Sequence, residues 1–140
     1  MQDSTGNSPR QDLTGLRILL VDDSVDNQRL FSLYLKKAGA GVTLAGNGQE
    51  GVATALKAQN DGQPFDIILM DMQMPVMDGF TATQTLRDRG VQTPIVALTG
   101  NAIEEDQDQY EAAGFTDYLT KPILRDDLLA GVVKASQGRS

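Results

Sequence analysis

The sequence predicts an α/β fold, a doubly wound parallel sheet of five strands with helices on both faces. Three observations support this prediction. Five short apolar runs, of which Ile67–Met70 is one, have the length and side-chain types of buried strands. Segments with apolar residues at helical spacing alternate with them. The connections between the two kinds of segment are short, which favours right-handed crossovers between parallel strands.

The first strand is predicted at Leu16–Val21, and it ends at the acidic pair Asp22-Asp23. Either Asp23 or Ser24 can cap the helix that follows, and Gly39 is a signal for its end. The apolar residues of this helix recur at the spacing of an inward face. They are Leu30, Phe31, Tyr34, Leu35 and Ala38.

The second strand is predicted at Val42–Ala45. Asn47 and Glu50 then have the spacing of a capping box, with Asn47 as the N-cap and Glu50 as the third helical residue. A helix is therefore expected to follow and to end near residues 60–62. Its inward residues are expected to be Val52, Ala55 and Leu56.

The third strand organises the rest of the chain. Its four apolar residues, Ile67–Met70, predict a strand that is buried on both faces. Asp71 follows at once, whereas Pro75 cannot continue a central strand and Asp78-Gly79 favours the start of a helix. Asp71 is therefore predicted at the carboxyl end of a buried parallel strand, which is the edge where open α/β sheets bind ligands.

The remaining elements continue the alternation. A helix is predicted from about Gly79 to Arg89, a strand at Ile95–Leu98, a helix at Ile103–Ala113 and a strand at Asp117–Thr120. A last helix is expected to contain Leu124, Leu128, Leu129, Val132 and Val133. Residues 1–14 are polar and read as a flexible tail or linker, residues 15–135 as the folded domain, and residues 136–140 as a short polar tail.

Composition excludes several classes of function. The net charge of −7 among 140 residues opposes binding to nucleic acid. The chain has neither cysteine nor histidine, which excludes disulfides, thiolate metal sites and imidazole catalysis. No apolar run approaches the roughly 20 residues of a membrane helix, and residues 1–14 do not resemble a signal peptide. A cytoplasmic domain without membrane contact is therefore expected.

Four of the predicted strands end at side chains that can act together. Asp22-Asp23, Asp71, Thr99 and Lys121 follow the first, third, fourth and fifth strands, and parallel strands place these ends on one edge. Clustered carboxylates repel one another unless a positive partner intervenes, and Mg²⁺ is a natural partner for oxygen ligands. A lysine and a hydroxyl beside them suit a phosphoryl group. Without histidine, cysteine or a P-loop, the available nucleophile is a carboxylate, which predicts an aspartyl phosphate.

Four motifs resemble the receiver domain of two-component response regulators. They are Val21-Asp22-Asp23-Ser24, Leu69–Gly79, Ala97-Leu98-Thr99 and Tyr118-Leu119-Thr120-Lys121-Pro122, and the resemblance extends from about Leu16 to Ala135. The sequences of Met70–Gly79 and of residues 98–102 are most similar to those of receivers attached to hybrid sensor histidine kinases. The resemblance implies a flavodoxin-like fold with strand order 2-1-3-4-5.

The resemblance also implies a metal site and a phosphoacceptor. Asp71 would take a phosphoryl group from a phosphohistidine on a histidine kinase domain or a histidine phosphotransfer protein. Asp23 and Asp71 would bind Mg²⁺ through their carboxylates, Gln73 through its backbone carbonyl, and Asp22 mainly through water.

Further implied roles concern the switch between two states. Lys121 would pair first with Asp71 and then with the phosphate, and the Lys121–Pro122 bond would be cis, which proline alone makes inexpensive. Thr99 would move towards the phosphoryl group and Tyr118 would turn into the vacated space. The surface of the fourth helix, fifth strand and last helix would then change for a partner.

Two other classes of function remain open on the sequence alone. A Mg²⁺-dependent hydrolase could use an aspartyl-phosphate intermediate, but such phosphatases often place a second acid two residues after the nucleophile, where this chain has Gln73. A receiver-like module that is never phosphorylated would not need the complete set of site residues. The leading expectation is a signalling phosphoacceptor rather than a turnover enzyme, either stand-alone or part of a hybrid kinase, and a monomer or weak dimer.

Overall fold

The computed structural model describes residues 12–72, 74, 77–100 and 107–137. Strands and helices alternate throughout these ranges, as the sequence predicts. The elements in chain order are β1 Arg17–Val21, α1 Val25–Lys37, β2 Gly41–Ala45, α2 Gly48–Asn60, β3 Ile67–Asp71, α3 Gly79–Asp88, β4 Ile95–Thr99, α4 Gln107–Ala113, β5 Asp117–Thr120 and α5 Arg125–Gln137. Among the helices of these described ranges, none has both the length and the apolar character needed to cross a membrane.

All five strands are parallel, and their order in the sheet is β2-β1-β3-β4-β5. This confirms the fold class and the strand order. The register places Val21 beside Met70 and Asp71 beside Leu98, so the carboxyl ends of β1, β3 and β4 lie next to one another. The order reverses between β1 and β3, and that reversal opens a crevice at the sheet edge.

Two layers of apolar side chains bury the sheet, because successive strand residues point to opposite faces. On one face, Ile18, Leu20 and Leu69 of the strands pack with residues of α1 and α5. On the other face, Val21 and Met70 pack with residues of α2, α3 and α4. β1, apart from Arg17, and all of β3 and β4 are buried, which explains their continuous apolar runs.

The predicted starts of α1, α2 and α3 are confirmed. Ser24 caps α1 by accepting the Asn27 N–H, and Asp78 caps α3 by accepting the Thr81 N–H. Asn47 caps α2 by accepting the Glu50 N–H at 2.8 Å. Glu50 also reaches back, but its carboxylate accepts the N–H of Gly46 rather than that of Asn47. The predicted stop signal Gly39 has positive φ, as do Gly90 and Gly114 after α3 and α4, and glycine adopts this conformation without strain.

Two local expectations need correction, and a third is not tested. Leu30 is 42% exposed rather than inward, because the buried stripe of α1 runs through Phe31 and Leu35 and the next residue along a helix lies about 100° away. Leu124 is 65% exposed and precedes α5, which begins at Arg125. The expected start of α4 falls in residues 101–106, which lie outside the described residues.

The packed part of the chain begins before the boundary predicted at residue 15. Leu13 is fully buried against the α1 and α5 layer, and its N–H donates to the Ala38 carbonyl at 2.8 Å. The N–H of Leu16 in turn donates to the carbonyl of Leu13. Leu13 therefore belongs to the core, although it stands in the stretch that composition assigns to a tail.

A long-range contact fixes the end of α4. Arg87, near the end of α3, donates to the carbonyl of Gly114 through Nε at 3.0 Å and through an η nitrogen at 2.8 Å. Its other η nitrogen donates to the carbonyls of Val91 and Thr93. One guanidinium thereby holds α3, the loop after it and the residue that terminates α4 in a fixed relation.

Replacing Thr83 by valine is expected to stabilise the fold. Thr83 is fully buried in α3, and among the described residues its hydroxyl has no hydrogen-bond partner. Burial of such a group opposes folding, and valine has the same shape, so we expect the free energy of unfolding to rise by about 1 kcal/mol. Urea unfolding with an unchanged slope measures this difference.

A matched control is available on the same helix. The Thr85 hydroxyl donates to the Thr81 carbonyl at 2.8 Å, so Thr85→Val removes a bond and should leave the free energy of unfolding unchanged or slightly lower. A lower free energy of unfolding for Thr83→Val would contradict the prediction.

Candidate functional site

Three carboxylates meet at the carboxyl edge of the sheet, as the sequence predicts. Asp71 is the last residue of β3, and Asp22 and Asp23 follow β1 directly. Each contributes one carboxylate oxygen to a group whose members lie within 4.8 Å of one another. Asp22 and Asp71 are buried, whereas Asp23 is exposed, so the cluster is open to solvent on the Asp23 side.

Lys121 joins this cluster from the end of β5. Its Nζ lies 3.0 Å from Oδ1 of Asp71, and the side chains are 28% and 4% exposed, respectively. The backbone N–H of Lys121 donates to the Thr99 carbonyl at 2.6 Å, which extends the β4–β5 pairing by one residue and fixes the start of the lysine side chain. The Lys121–Pro122 bond is cis, as expected.

The electrostatics of the site favour a cation. Burial is the main cause of the raised pKa of Asp22, and the negative charge of Asp71 adds to it. The N–H of Ser24, the charge of Lys121 and the amide of Asn27 act in the opposite direction. Because folding raises the pKa of Asp22, the protonated carboxyl contributes to the free energy of unfolding at low pH. This contribution is lost as the pH rises through the pKa of the folded state.

A hard divalent cation fits this set of donors. Carboxylate oxygens from three residues converge, and the single amine of Lys121 cannot neutralise all three when they are ionised. Such a cation would offset the repulsion between Asp22 and Asp71 that ionisation creates. Mg²⁺ prefers oxygen ligands and keeps several waters, which suits a cluster open on one side.

Two glycines allow the chain to close around the end of β3. A Cβ atom at Gly79, the first residue of α3, would lie 2.7 Å from the backbone oxygen of Asp71, so a side chain there would push the helix away. A Cβ atom at Gly48, the first residue of α2, would collide with the backbone oxygen of Met77. α3 therefore starts in close contact with Asp71, and α2 starts in close contact with Met77.

Thr99 and Tyr118 occupy the positions expected of them, although their movement stays a prediction. Thr99 is the last residue of β4 and is 3% exposed. Tyr118 is half-buried on β5 and borders a shallow hollow together with Tyr110 and Phe115 of the α4 side. Gln73, the expected carbonyl ligand, lies outside the described residues.

Two residues at the site were not predicted from the sequence. Asn27 donates through Nδ2 to Oδ2 of Asp22 at 3.3 Å, and Gln28 donates through Nε2 to the backbone carbonyl of Asp22 at 2.7 Å. A signal for Asn27 exists in hindsight, because it is the third residue after the N-cap Ser24, the position whose side chain reaches back in a capping box.

Comparison with known proteins supports one family assignment. Residues 18–133 match the sequence profile of the response regulator receiver domain. The two-component response regulator ORR41 of Oryza sativa subsp. japonica is 38% identical over 120 residues, which are 86% of this chain and 92% of that protein. Probable histidine kinase 2 of Oryza sativa subsp. indica is 34% identical over 141 aligned positions, which cover 91% of this chain but only 14% of the kinase.

One similar protein of known structure contains a metal ion. The receiver domain of the sensor histidine kinase PA1611 from Pseudomonas aeruginosa has a magnesium ion coordinated in its active-site cleft. It is 37% identical to this chain with a TM-score of 0.76, and the match covers 89% of this chain and 99% of that one. The profile match covers most of the chain, and the sheet order and the acidic cluster agree with it. This chain therefore belongs to the response regulator receiver domain family, which serves two-component and phosphorelay signalling.

Proposed function

We propose that Asp71 is the phosphoacceptor of this receiver domain, and that its donor is a phosphohistidine on a histidine kinase domain or a histidine phosphotransfer protein. The observation that carries the proposal is the contact of 3.0 Å between Lys121 Nζ and Asp71 Oδ1 inside the acidic cluster. This amine offsets the negative charge of the Asp71 carboxylate in a buried position and adjoins the place where phosphoryl oxygens would arrive.

The other two carboxylates suit the acceptor role less well. Both oxygens of Asp22 already accept hydrogen bonds, one from the Ser24 N–H and one from the Asn27 amide. Asp23 is exposed, and no shielding from water would protect an acyl phosphate formed on it. Asp71 combines burial with an adjacent amine, so it is the carboxylate we assign as the nucleophile.

The transfer forms one bond and breaks another. A carboxylate oxygen of Asp71 attacks the phosphorus in line, while the bond from phosphorus to the imidazole nitrogen of the donor breaks. The donor histidine keeps the electron pair of that bond. Lys121 then pairs with a phosphoryl oxygen in place of the carboxylate. Water attack on the acyl phosphate later returns the carboxylate and inorganic phosphate.

We assign Asp22, Asp23 and Asp71, together with the backbone carbonyl of Gln73, to a Mg²⁺ site. When bound, the ion supplies positive charge that neutralises phosphoryl oxygens. The chemistry of the donor set supports this assignment, since three carboxylates converge around one amine. Asp22 would act mainly through water, while each of its oxygens accepts one hydrogen bond from the start of α1.

We propose that Thr99 and Tyr118 transmit the phosphorylated state to the surface formed by α4, β5 and α5. The Thr99 carbonyl accepts the backbone N–H of Lys121. Thr99 therefore adjoins the residue whose amine the phosphate engages. A phosphoryl group that accepts a bond from the Thr99 hydroxyl would favour one of two states, which is the differential contact that a switch requires. Tyr118 lies on β5, which pairs with the strand that Thr99 ends, and it borders a hollow with Tyr110 and Phe115 on the α4 side.

We also propose that this signalling role is carried out in the cytoplasm. The donor phosphohistidine is formed from ATP, which is a cytoplasmic reactant. The acceptor lies at an edge that is open on the Asp23 side, where the histidine of a protein donor can approach. We therefore propose one phosphoryl transfer per donor encounter rather than turnover of a small substrate.

The test uses intact mass after incubation with acetyl phosphate and Mg²⁺. We expect a single phosphate-sized increment in the wild-type chain, and none when EDTA removes the metal, because Asp71 and the incoming phosphoryl group both carry negative charge. Steady release of phosphate from phosphomonoesters without a mass increment would instead support the hydrolase. No increment with acetyl phosphate or with a phosphohistidine donor would support the module that is never phosphorylated.

A further inference from the structure

The first turn of α1 holds Asp22 through its side chain and its backbone. Oδ1 of Asp22 accepts the Ser24 N–H at 2.9 Å, and Oδ2 accepts Nδ2 of Asn27 at 3.3 Å. The backbone carbonyl of Asp22 accepts Nε2 of Gln28 at 2.7 Å, and its N–H donates to the Ala45 carbonyl at 3.0 Å. Ser24 and Asn27 thus fix the carboxylate of Asp22. Gln28 and the β2 residue Ala45 fix its main chain.

The cap of α1 explains why Asn27 reaches this position. Ser24 is the N-cap, and its hydroxyl accepts the backbone N–H of Asn27 at 3.2 Å. That bond orients the first turn so that Asn27, the third helical residue, extends back over the end of β1. The same cap therefore places Ser24 on one oxygen of Asp22 and Asn27 on the other.

A buried carboxylate beside another carboxylate needs such support. Asp22 is fully buried, and Asp71 belongs to the same cluster, so repulsion would turn the Asp22 carboxylate away from Asp71 if nothing held it. Each carboxylate oxygen can accept about two hydrogen bonds, so one bond to each oxygen leaves capacity for a metal or for its bound water. The bonds from α1 therefore orient Asp22 without closing it to a cation.

We infer that Asn27 is a positioning residue that sets the affinity of the acidic cluster for Mg²⁺, with Gln28 fixing the backbone of the same aspartate. This inference rests on the proposed magnesium site. Side chains that hydrogen-bond to metal ligands orient those ligands, and their loss weakens metal binding. Asn27 does not touch the phosphoryl group in this assignment, because it acts only through Asp22.

The experiment compares Mg²⁺ binding by the unphosphorylated chain before and after removal of the Asn27 amide. Asn27→Leu keeps the size of the side chain and removes the donor. Isothermal titration calorimetry is expected to show that the dissociation constant for Mg²⁺ rises about tenfold. This is the low end of the loss of affinity found for residues that orient metal ligands, because the bond is long and half-buried. Thermal unfolding in EDTA measures separately the stability that is lost when buried Asp22 no longer accepts this bond.

The matched control makes the same substitution far from the site. Asn60 is the exposed last residue of α2, and α2 begins at the carboxyl edge of the sheet, so its end lies towards the opposite edge. Asn60→Leu should therefore bind Mg²⁺ as the wild type does.

The outcomes separate this inference from the proposed function. Equal Mg²⁺ affinity in the wild type, Asn27→Leu and Asn60→Leu would overturn the positioning role and leave the phosphoacceptor proposal intact. No Mg²⁺ binding by the wild type would overturn the metal site and the inference together. Asn27→Ala is the second variant, and failure of both Asn27 variants to fold, as judged by circular dichroism, would show a structural residue and overturn the inference.

Discussion

Asp71→Asn is expected to abolish the phosphate-sized mass increment that the wild-type chain acquires from acetyl phosphate and Mg²⁺. The amide has nearly the same shape as the carboxylate but is neutral, so it cannot act as the nucleophile. It also gives up the ion pair with Lys121, in which the Asp71 side chain is only 4% exposed. Intact mass at matched times measures the loss, and circular dichroism establishes that the variant is folded.

A charge-matched control isolates the acceptor role of Asp71. Asp88 is exposed at the end of α3, and Asp88→Asn removes one negative charge without altering the acidic cluster. This control should acquire the increment at the wild-type rate. An unchanged increment in Asp71→Asn would contradict the assignment and move the acceptor to another carboxylate, which peptide mapping of the modified chain would locate.

Lys121→Met is expected to slow phosphorylation by about a hundredfold, the usual effect of removing one preorganised charge donor from a reacting centre. Methionine keeps the length of the side chain but removes the amine that lies 3.0 Å from Asp71. The affinity for Mg²⁺ should be retained or increased, because a positive charge no longer competes beside the carboxylates. Loss of rate with retained metal binding would separate Lys121 from the metal ligands.

The control for this prediction is the lysine–aspartate pair that joins α5 to β5. Lys134 lies 3.5 Å from Asp117, but its side chain is 79% exposed and solvent screens the pair. Lys134→Met should be phosphorylated at the wild-type rate. If Lys121→Met reacted as fast as this control, the amine would have no part in the transfer.

The sequence predicts most of this fold because its local signals agree with one another. β3 and β4 are buried on both faces, and such strands produce continuous apolar runs that polar turns interrupt. Asn47 and Asp78 cap the helices that their spacing predicts. The convergence of Asp22, Asp23 and Asp71 is also predictable, because parallel strands place their carboxyl ends on one edge.

Contacts between distant or exposed residues are where sequence reasoning fails. Leu30 has the spacing of an inward residue, but how much of a helix surface the sheet covers depends on the packing of α1 as a whole. Leu13 stands in a polar stretch, and only the approach of the end of α1 gives it a buried place. Arg87 looks like a solvated helix residue until the fold brings Gly114 to its guanidinium.

The order of polar and apolar residues by itself determined the α/β class, the edge that carries the chemistry and the identity of the acidic residues there. Those properties follow from periodicity and from the geometry that all parallel sheets share. Only the tertiary structure decided that Asn27 and Gln28 hold Asp22, and that Asp22 is buried whereas Asp23 is exposed. Such choices depend on distances of a few ångströms between segments that are brought together by folding, and no local pattern encodes those distances.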